Sequence, residues 1–271
     1  MRWRPCPIPL RDDAAFHDQE KDAPMTTKGN EGQSALVTGA SGGIGLELAR
    51  ILAANRFSLV LLARSRDKLE DLARELRAQH GTKVTIVPAD LSEPGAAQAV
   101  FDSLTDAGVQ IDLLVNNAGL LLEGRFGAIG LDEQLRLLQV NIVALTALTR
   151  LFLGPMLERN RGRILNVASV AAFMPVPNLA VYAASKAYVL SFGDALFQEL
   201  SGTKITVTTL CPGVTEYRNG PWHESWGPTR HDDHGRKDGC SRRVSRLHGG
   251  KAGPCRGNCK RACSPMDQVS A

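Results

Sequence analysis

Ala35-Leu36-Val37-Thr38-Gly39-Ala40-Ser41-Gly42-Gly43-Ile44-Gly45-Leu46-Glu47-Leu48-Ala49 is the stretch that decides the fold. It opens as a short apolar run, breaks at glycine and resumes as an amphipathic helix. A strand that turns over a glycine cluster into a helix leaves the first N–H groups of that helix free. Together with the positive end of the helix they make a site for an anion. Glycines at 39, 43 and 45 let the backbone turn tightly and approach a pyrophosphate. Their spacing is Gly-x-x-x-Gly-x-Gly, not the commoner Gly-x-Gly-x-x-Gly. In isolation such a run also serves as a structural turn. Its place after the first strand and before a helix favours a dinucleotide. The residues to watch are Gly39, Ser41, Gly43, Ile44 and Gly45.

Working outward, the same unit recurs. Apolar runs at 34–38, 57–63, 83–88, 111–116, 163–168 and 204–211 read as strands. Between them lie helical patterns at 43–54, 66–79, 132–159 and 179–200. Another helix, to about residue 106, is expected to start at an N-cap Ser92 with Pro94 in its first turn. Runs such as Leu59-Val60-Leu61-Leu62 are apolar on both faces, as buried parallel strands are. Right-handed crossovers then predict an α/β fold, a doubly wound parallel sheet of Rossmann type with six readable strands and helices on both faces.

The chain has 271 residues and a net charge of +4. The charge is unevenly placed: residues 217–271 hold 11 Lys/Arg and 5 Asp/Glu, so the rest is nearly neutral. A nucleic-acid function for the body is therefore not expected. Three segments follow. Residues 1–32 read as a disordered N-terminal extension, with Met25 a plausible start. Residues 33–216 read as the folded domain that carries the sheet. Residues 217–271, with Val244, Leu247 and Val269 as their only Ile, Leu or Val, read as a basic, unstructured tail. Cys6 and Cys211 stand alone and no disulfide framework is visible, which suits a reducing, cytoplasmic setting. No consecutive apolar run approaches the ~20 residues of a membrane span. In the tail, Cys240, His248, Cys255, Cys259 and Cys263 have poor zinc-finger spacing, and no metal is expected.

The remaining motifs sit at strand ends. Arg64 follows the second strand, where an acid would hold a ribose 2′-hydroxyl and an arginine suits a 2′-phosphate. Asp90-Leu91 follows the third strand, where an adenine edge would lie, although Asp90 alone could simply start a turn. Asn116-Asn117-Ala118-Gly119 closes the fourth, with small residues that leave room for a cofactor and amides that can tie strand ends together. Tyr182 and Lys186 stand at i, i+4 on one helix face. A free tyrosine, with a pKa of about 10, is useless as a base at neutral pH, and a nearby ammonium lowers that value. Ser169 ends the fifth strand, at the sheet edge where open α/β folds bind ligands.

The Thr38-Gly39-x-x-x-Gly43-x-Gly45 turn, Asn116-Asn117-Ala118-Gly119, Asn141 on the following helix, Ser169, Tyr182-x-x-x-Lys186 and Pro212-Gly213 stand in one order and spacing. In this, residues 33–216 resemble the short-chain dehydrogenase/reductase family. The resemblance implies NADP(H) as cofactor and interconversion of a carbonyl and a secondary alcohol on a small molecule. It implies that Tyr182 is the acid in reduction and the base in reverse, and that Ser169 fixes the carbonyl oxygen. Lys186 would lower the Tyr182 pKa and hold the nicotinamide ribose. Asn141 would position a relay water. Pro212, Gly213, Val214 and Thr215 would lie against the nicotinamide. Ala118, Gly119 and Asn117 would face the cofactor. It also implies a homodimer through the helices at 132–159 and 179–200.

One departure stands out. After Glu216 the family's substrate-covering helix, a further helix and the last strand are not readable; a shifted reading frame gives such a mixture. The alternative expectation is a catalytically impaired NADP(H)-binding protein. A third is a fusion whose basic tail binds nucleic acid. Phe173, Met174, Val176 and Leu179, between Ser169 and Tyr182, predict an apolar pocket wall.

Overall fold

Six strands in the computed structural model, which describes residues 30–213, form one parallel sheet in the order β3-β2-β1-β4-β5-β6. They are β1 (Ser34–Thr38), β2 (Ser58–Ala63), β3 (Val84–Pro88), β4 (Leu113–Asn116), β5 (Gly162–Val167) and β6 (Ile205–Leu210). The predicted sheet is thus observed. Its order reverses between β1 and β4, and the crevice above such a reversal is where open α/β sheets take ligands.

Helices α1 (Gly43–Ala54), α2 (Arg66–His80), α3 (Ala96–Asp106), α4 (Leu131–Leu138), α5 (Leu145–Glu158) and α6 (Ala180–Glu199) cover the sheet. Two apolar clusters show the two layers. Ala35, Val37, Leu59 and Leu61 pack with Leu69, Leu72 and Leu76 of α2 on one face. Leu36, Val60, Leu62, Leu114 and Ile164 pack with Val100 and Leu104 of α3 and Leu148, Phe152 and Met156 of α5 on the other. Burying both faces of β1 and β2 fixes the strand order that carries the glycine turn.

Two sequence expectations need correction. Ser92 does not cap α3. Both its N–H and its hydroxyl donate to Asp90 Oδ1, at 2.9 and 2.7 Å. Gly95, at φ +81°, then breaks the backbone, so Pro94 lies before the helix rather than in it. The expected helix over 132–159 is three pieces, because a π-helical segment (Gln139–Ala144) joins α4 to α5. A wide turn of this kind inserts one residue and often marks a functional position. The stretch Leu131–Glu158 is long and apolar enough to cross a membrane by length and composition, with a mean hydropathy of 1.6. Its Leu137, Val140, Leu145, Leu148 and Met156 are buried in this fold, which is how a core helix of a packed domain meets the same test. Expectations for residues 1–29 and 214–271 lie outside the described residues.

Candidate active site

The turn after β1 is built around one buried hydroxyl. Thr38 Oγ1 donates to Val115 O at 3.0 Å and accepts from Asn117 N and Ala118 N, each at 2.9 Å. The Asn117 amide completes the tie by donating to Thr38 O at 2.9 Å. The carboxyl ends of β1 and β4 are therefore fastened together directly under the glycines. Gly39, at φ +68°, would bring a Cβ to 2.8 Å from Asn117 Nδ2. A Cβ on Gly45 would overlap that same nitrogen and the carbonyl of Gly39. Gly43 holds φ +54°. No side chain caps α1 at Gly42, so its N-terminus is left to a ligand, with Ser41 and Ile44 partly buried beside it. This backbone cradle fits a pyrophosphate.

A second constellation sits at the ends of β5 and α6. Ser169 follows β5, takes an extended backbone and accepts from Ala171 N at 3.2 Å, opening a 3-10 turn (Val170–Phe173). Its hydroxyl lies near enough to the Tyr182 phenol to influence that group's pKa. Burial raises the Tyr182 pKa above its usual value, and Ser169 opposes that rise. Lys186 is 5% exposed. Its Nζ donates to Val167 O at 2.8 Å and stands 5.8 Å from the centroid of the Tyr182 ring. Burial pushes the Lys186 pKa down to about 8, with Cys211 acting against it. The groups that shift Tyr182 in this structure are thus its burial and Ser169.

Asn141, in the π segment, is buried. Its Oδ1 accepts from Leu120 N at 2.7 Å, and its Nδ2 donates to Leu120 O and to Ser185 Oγ, both at 3.0 Å. Ser185 Oγ in turn donates to Tyr182 O at 2.7 Å. A Cβ on Gly119 would lie 3.4 Å from Asn141 Oδ1 and 3.5 Å from Lys186 Nζ. Glycine at 119 therefore keeps open the gap between the amide and the ammonium, and Asn141, Gly119, Lys186 and Tyr182 are gathered at one place.

Asp90 makes a turn. Besides the two contacts from Ser92, its Oδ2 accepts from Arg136 of α4 at 3.1 Å. Burial would raise its pKa, but the hydrogen bonds from Ser92 and Arg136 outweigh that and hold it low. Leu91 is buried in the core. Arg64 is exposed and makes no hydrogen bond or ion pair among the described residues. Pro212 O accepts from Val170 N at 3.0 Å, which seats Pro212-Gly213 against the turn after Ser169. Val214 and Thr215 lie outside the described residues. Phe173 and Met174 are 64% and 58% exposed. Sequence reasoning gave no role to Thr38, Ser185 or Arg136. Thr38 opens the glycine turn and Ser185 sits inside the Tyr182-x-x-x-Lys186 motif, so their neighbours were the available signal. Arg136 gave none, since its partner is 46 residues away.

Comparison with known proteins places this arrangement. The family model for short chain dehydrogenase matches residues 33–221. Ketoacyl reductase HetN of a Nostoc species is 37% identical over 182 residues, 67% of this chain and 63% of that protein. The chain thus spans under two thirds of the length of that relative. Nodulation protein G of a Rhizobium species is 39% identical over 185 residues, covering 68% and 74% respectively. Among solved structures, a short-chain dehydrogenase from Sphingobium yanoikuyae in complex with NADPH is 36% identical. It has a TM-score of 0.65 and coverage of 68% of this chain and 71% of that one.

Proposed function

The chain belongs to the short-chain dehydrogenase family, and from that premise we propose that residues 33–216 are an NADP(H)-dependent oxidoreductase interconverting a carbonyl and a secondary alcohol on an apolar small molecule. The observation that carries this reading is the buried Lys186, whose Nζ donates to Val167 O at 2.8 Å and stands 5.8 Å from the centroid of the Tyr182 ring at the end of β5. Gly39, Ser41, Gly43, Ile44 and Gly45 would hold the pyrophosphate. Arg64, exposed and without a partner among the described residues, would take a 2′-phosphate. Asp90 and Leu91 would line the adenosine side, Asn117-Ala118-Gly119 the stretch between the glycine turn and Lys186, and Pro212-Gly213 with Val214 and Thr215 the nicotinamide side. NADPH in the Sphingobium relative supports the choice of cofactor.

When bound, the nicotinamide group supplies or accepts the hydride. This chain's residues manage the proton. A Tyr182 pKa raised by burial keeps the phenol protonated at neutral pH, the form that donates to a carbonyl oxygen. Ser169 donates a second hydrogen bond to that oxygen and fixes it. Lys186 retains donor capacity beyond its bond to Val167 O, since an ammonium has three N–H donors. Asn141 and Gly119 shape the space beside it through which a proton can be replaced. The apolar Phe173 and Met174, exposed between Ser169 and Tyr182, support an apolar substrate.

The test is to mix the purified chain with NADPH and a set of apolar ketones and follow loss of the reduced cofactor. Turnover is expected. Tight NADPH binding with no turnover on any ketone would replace this reading by that of a catalytically impaired NADP(H)-binding protein. The assembly we propose is a homodimer through α5 and α6, where Tyr188 and the adjoining Val143 are exposed; a tetramer by light scattering would refute it.

A further inference from the structure

Arg136 has no part in the motifs that carry the family resemblance, yet it closes a contact across the crevice. It lies on α4, one turn before the π segment that bears Asn141. Its guanidinium donates through one nitrogen to Asp90 Oδ2 at 3.1 Å and through Nε to Ser92 Oγ at 3.1 Å. Ser92 in turn gives two hydrogen bonds to the other oxygen, Asp90 Oδ1. Three elements meet there: the end of β3, the turn before α3, and α4.

Resting on the cofactor reading above, we propose that Arg136 is a positioning residue for the adenine end of the dinucleotide site, acting by holding Asp90. A carboxylate offers about four lone-pair positions. Ser92 N, Ser92 Oγ and Arg136 occupy three of them, on known sides of the group. The remaining acceptor position is thereby fixed in direction, ready for a donor such as an exocyclic amine. Without Arg136, Oδ2 loses its only donor among the described residues and the carboxylate is held on one side alone. Arg136 is also the tether between α4 and the end of β3, so the same contact sets the width of the crevice at this end. The pair is partly open to water, with side-chain exposures of 48% and 29%, so a modest effect is expected rather than a collapse.

The experiment is titration of the full chain and of Arg136→Ala with NADPH, with 2′,5′-ADP as an adenosine-end probe and with nicotinamide mononucleotide as a probe of the other end. Arg136→Ala is expected to weaken NADPH and 2′,5′-ADP by roughly fivefold, on the scale of one partly exposed charge-assisted contact. The mononucleotide should bind as before, and kcat at saturating NADPH should stay within about twofold of the parent. Arg136→Lys should recover part of the loss. In Asp90→Asn, removing Arg136 should cost less than in the parent, because the two act through one contact. Equal NADPH affinity in parent and Arg136→Ala overturns the proposal. So does a loss shared equally by the mononucleotide, or one accompanied by a lower melting temperature with no difference between probes. A parent that binds the mononucleotide and 2′,5′-ADP but gains nothing from Arg136 sinks this inference alone. A parent that binds none of the three probes sinks the cofactor reading and this inference with it.

Discussion

The two halves of the crevice are built on different physics. Under the glycine turn, polar groups are matched: Thr38 Oγ1 serves three backbone partners, and the Asn117 amide closes the gap between strand ends. No charge is buried there. Around α6 the site instead holds a nearly inaccessible ammonium and a phenol whose pKa burial raises. Beneath that half, Asn116 Oδ1 and Asn166 Nδ2 are buried without partners among the described residues, although Asn116 Nδ2 bonds both Thr149 Oγ1 and Asn166 Oδ1. A buried polar group left unpaired costs about 1–3 kcal/mol. One half is a backbone cradle at low electrostatic cost. The other stores electrostatic cost next to the groups proposed to move a proton. Such a division is expected where one region only has to bind and the other has to change charge.

Tyr182→Phe breaks the comparison most severely. If the α6 half does the proton chemistry and the glycine half only binds, the variant should lose turnover by about 10³-fold or more, the scale of a general acid. Its NADPH affinity should stay close to that of the parent. Single-turnover kinetics beside a binding titration checks both, and turnover within tenfold of the parent would show that Tyr182 is not the acid.

Gly45→Ala attacks the other half. Its Cβ would overlap Gly39 O and Asn117 Nδ2, and a backbone carbonyl cannot step aside cheaply. The variant should lose about 1–3 kcal/mol of stability, as overpacked sites do, and should bind NADPH poorly. Gly127→Ala is the control, since a Cβ there meets nothing within 4 Å. Equal melting temperatures and affinities for the two variants would mean that the glycine turn is not the close-fitting cradle described here.

The same contrast explains what was legible. Doubly apolar strands announce themselves, so β1 to β6 lie close to where periodicity put them, and the strand-end motifs gave the neighbourhood of each candidate residue. Periodicity could not show the π segment at Gln139–Ala144, because the buried positions Leu137, Val140, Ala144, Leu148 and Phe152 keep three- and four-residue spacing across it. Ser92-Glu93-Pro94-Gly95 reads as a helix start, but Asp90 captures Ser92 and Gly95 turns left-handed, a contest between two local hydrogen-bonding patterns that composition does not reveal. The cause of the Tyr182 shift was also hidden. The i, i+4 spacing pointed to Lys186 lowering it, whereas burial raises it. Burial depends on what packs over α6, which no spacing reports.

A pH experiment sharpens the electrostatic half. The folded-state pKa of Lys186 is about 8, below the ordinary lysine value of 10.5. The unfolded chain therefore binds this proton more tightly, and the stability penalty is in full force below pH 8. It is relieved as pH rises from about 8 toward 10.5. Tyr182 acts the other way only above its ordinary pKa of 10, since its folded value is raised. The parent should therefore gain stability relative to Lys186→Met between pH 8 and 10. Urea melts of both proteins across that window measure the difference, and parallel curves would mean that Lys186 is not charged at cost in the folded state.

Arg64→Asp is the mildest probe, and it returns to the glycine half. Arg64 follows β2, is exposed and has no partner among the described residues, so its guanidinium costs nothing in burial and supports no packing. Its only proposed work is at a 2′-phosphate, where arginine's planar fork suits a phosphate better than a lysine point charge does. Reversing its sign should leave the folding stability within about half a kcal/mol of the parent, as surface substitutions do. It should weaken NADPH and spare NADH, which has no 2′-phosphate, so that the preference narrows or inverts. Solvent screening limits the effect of an exposed charge, and the NADPH loss should shrink further as salt is raised. The decisive measurement is the ratio of NADPH to NADH affinity in parent and variant at two salt concentrations. If the parent binds both cofactors equally, the glycine half does not discriminate through Arg64, and another group at the end of β2 must be sought.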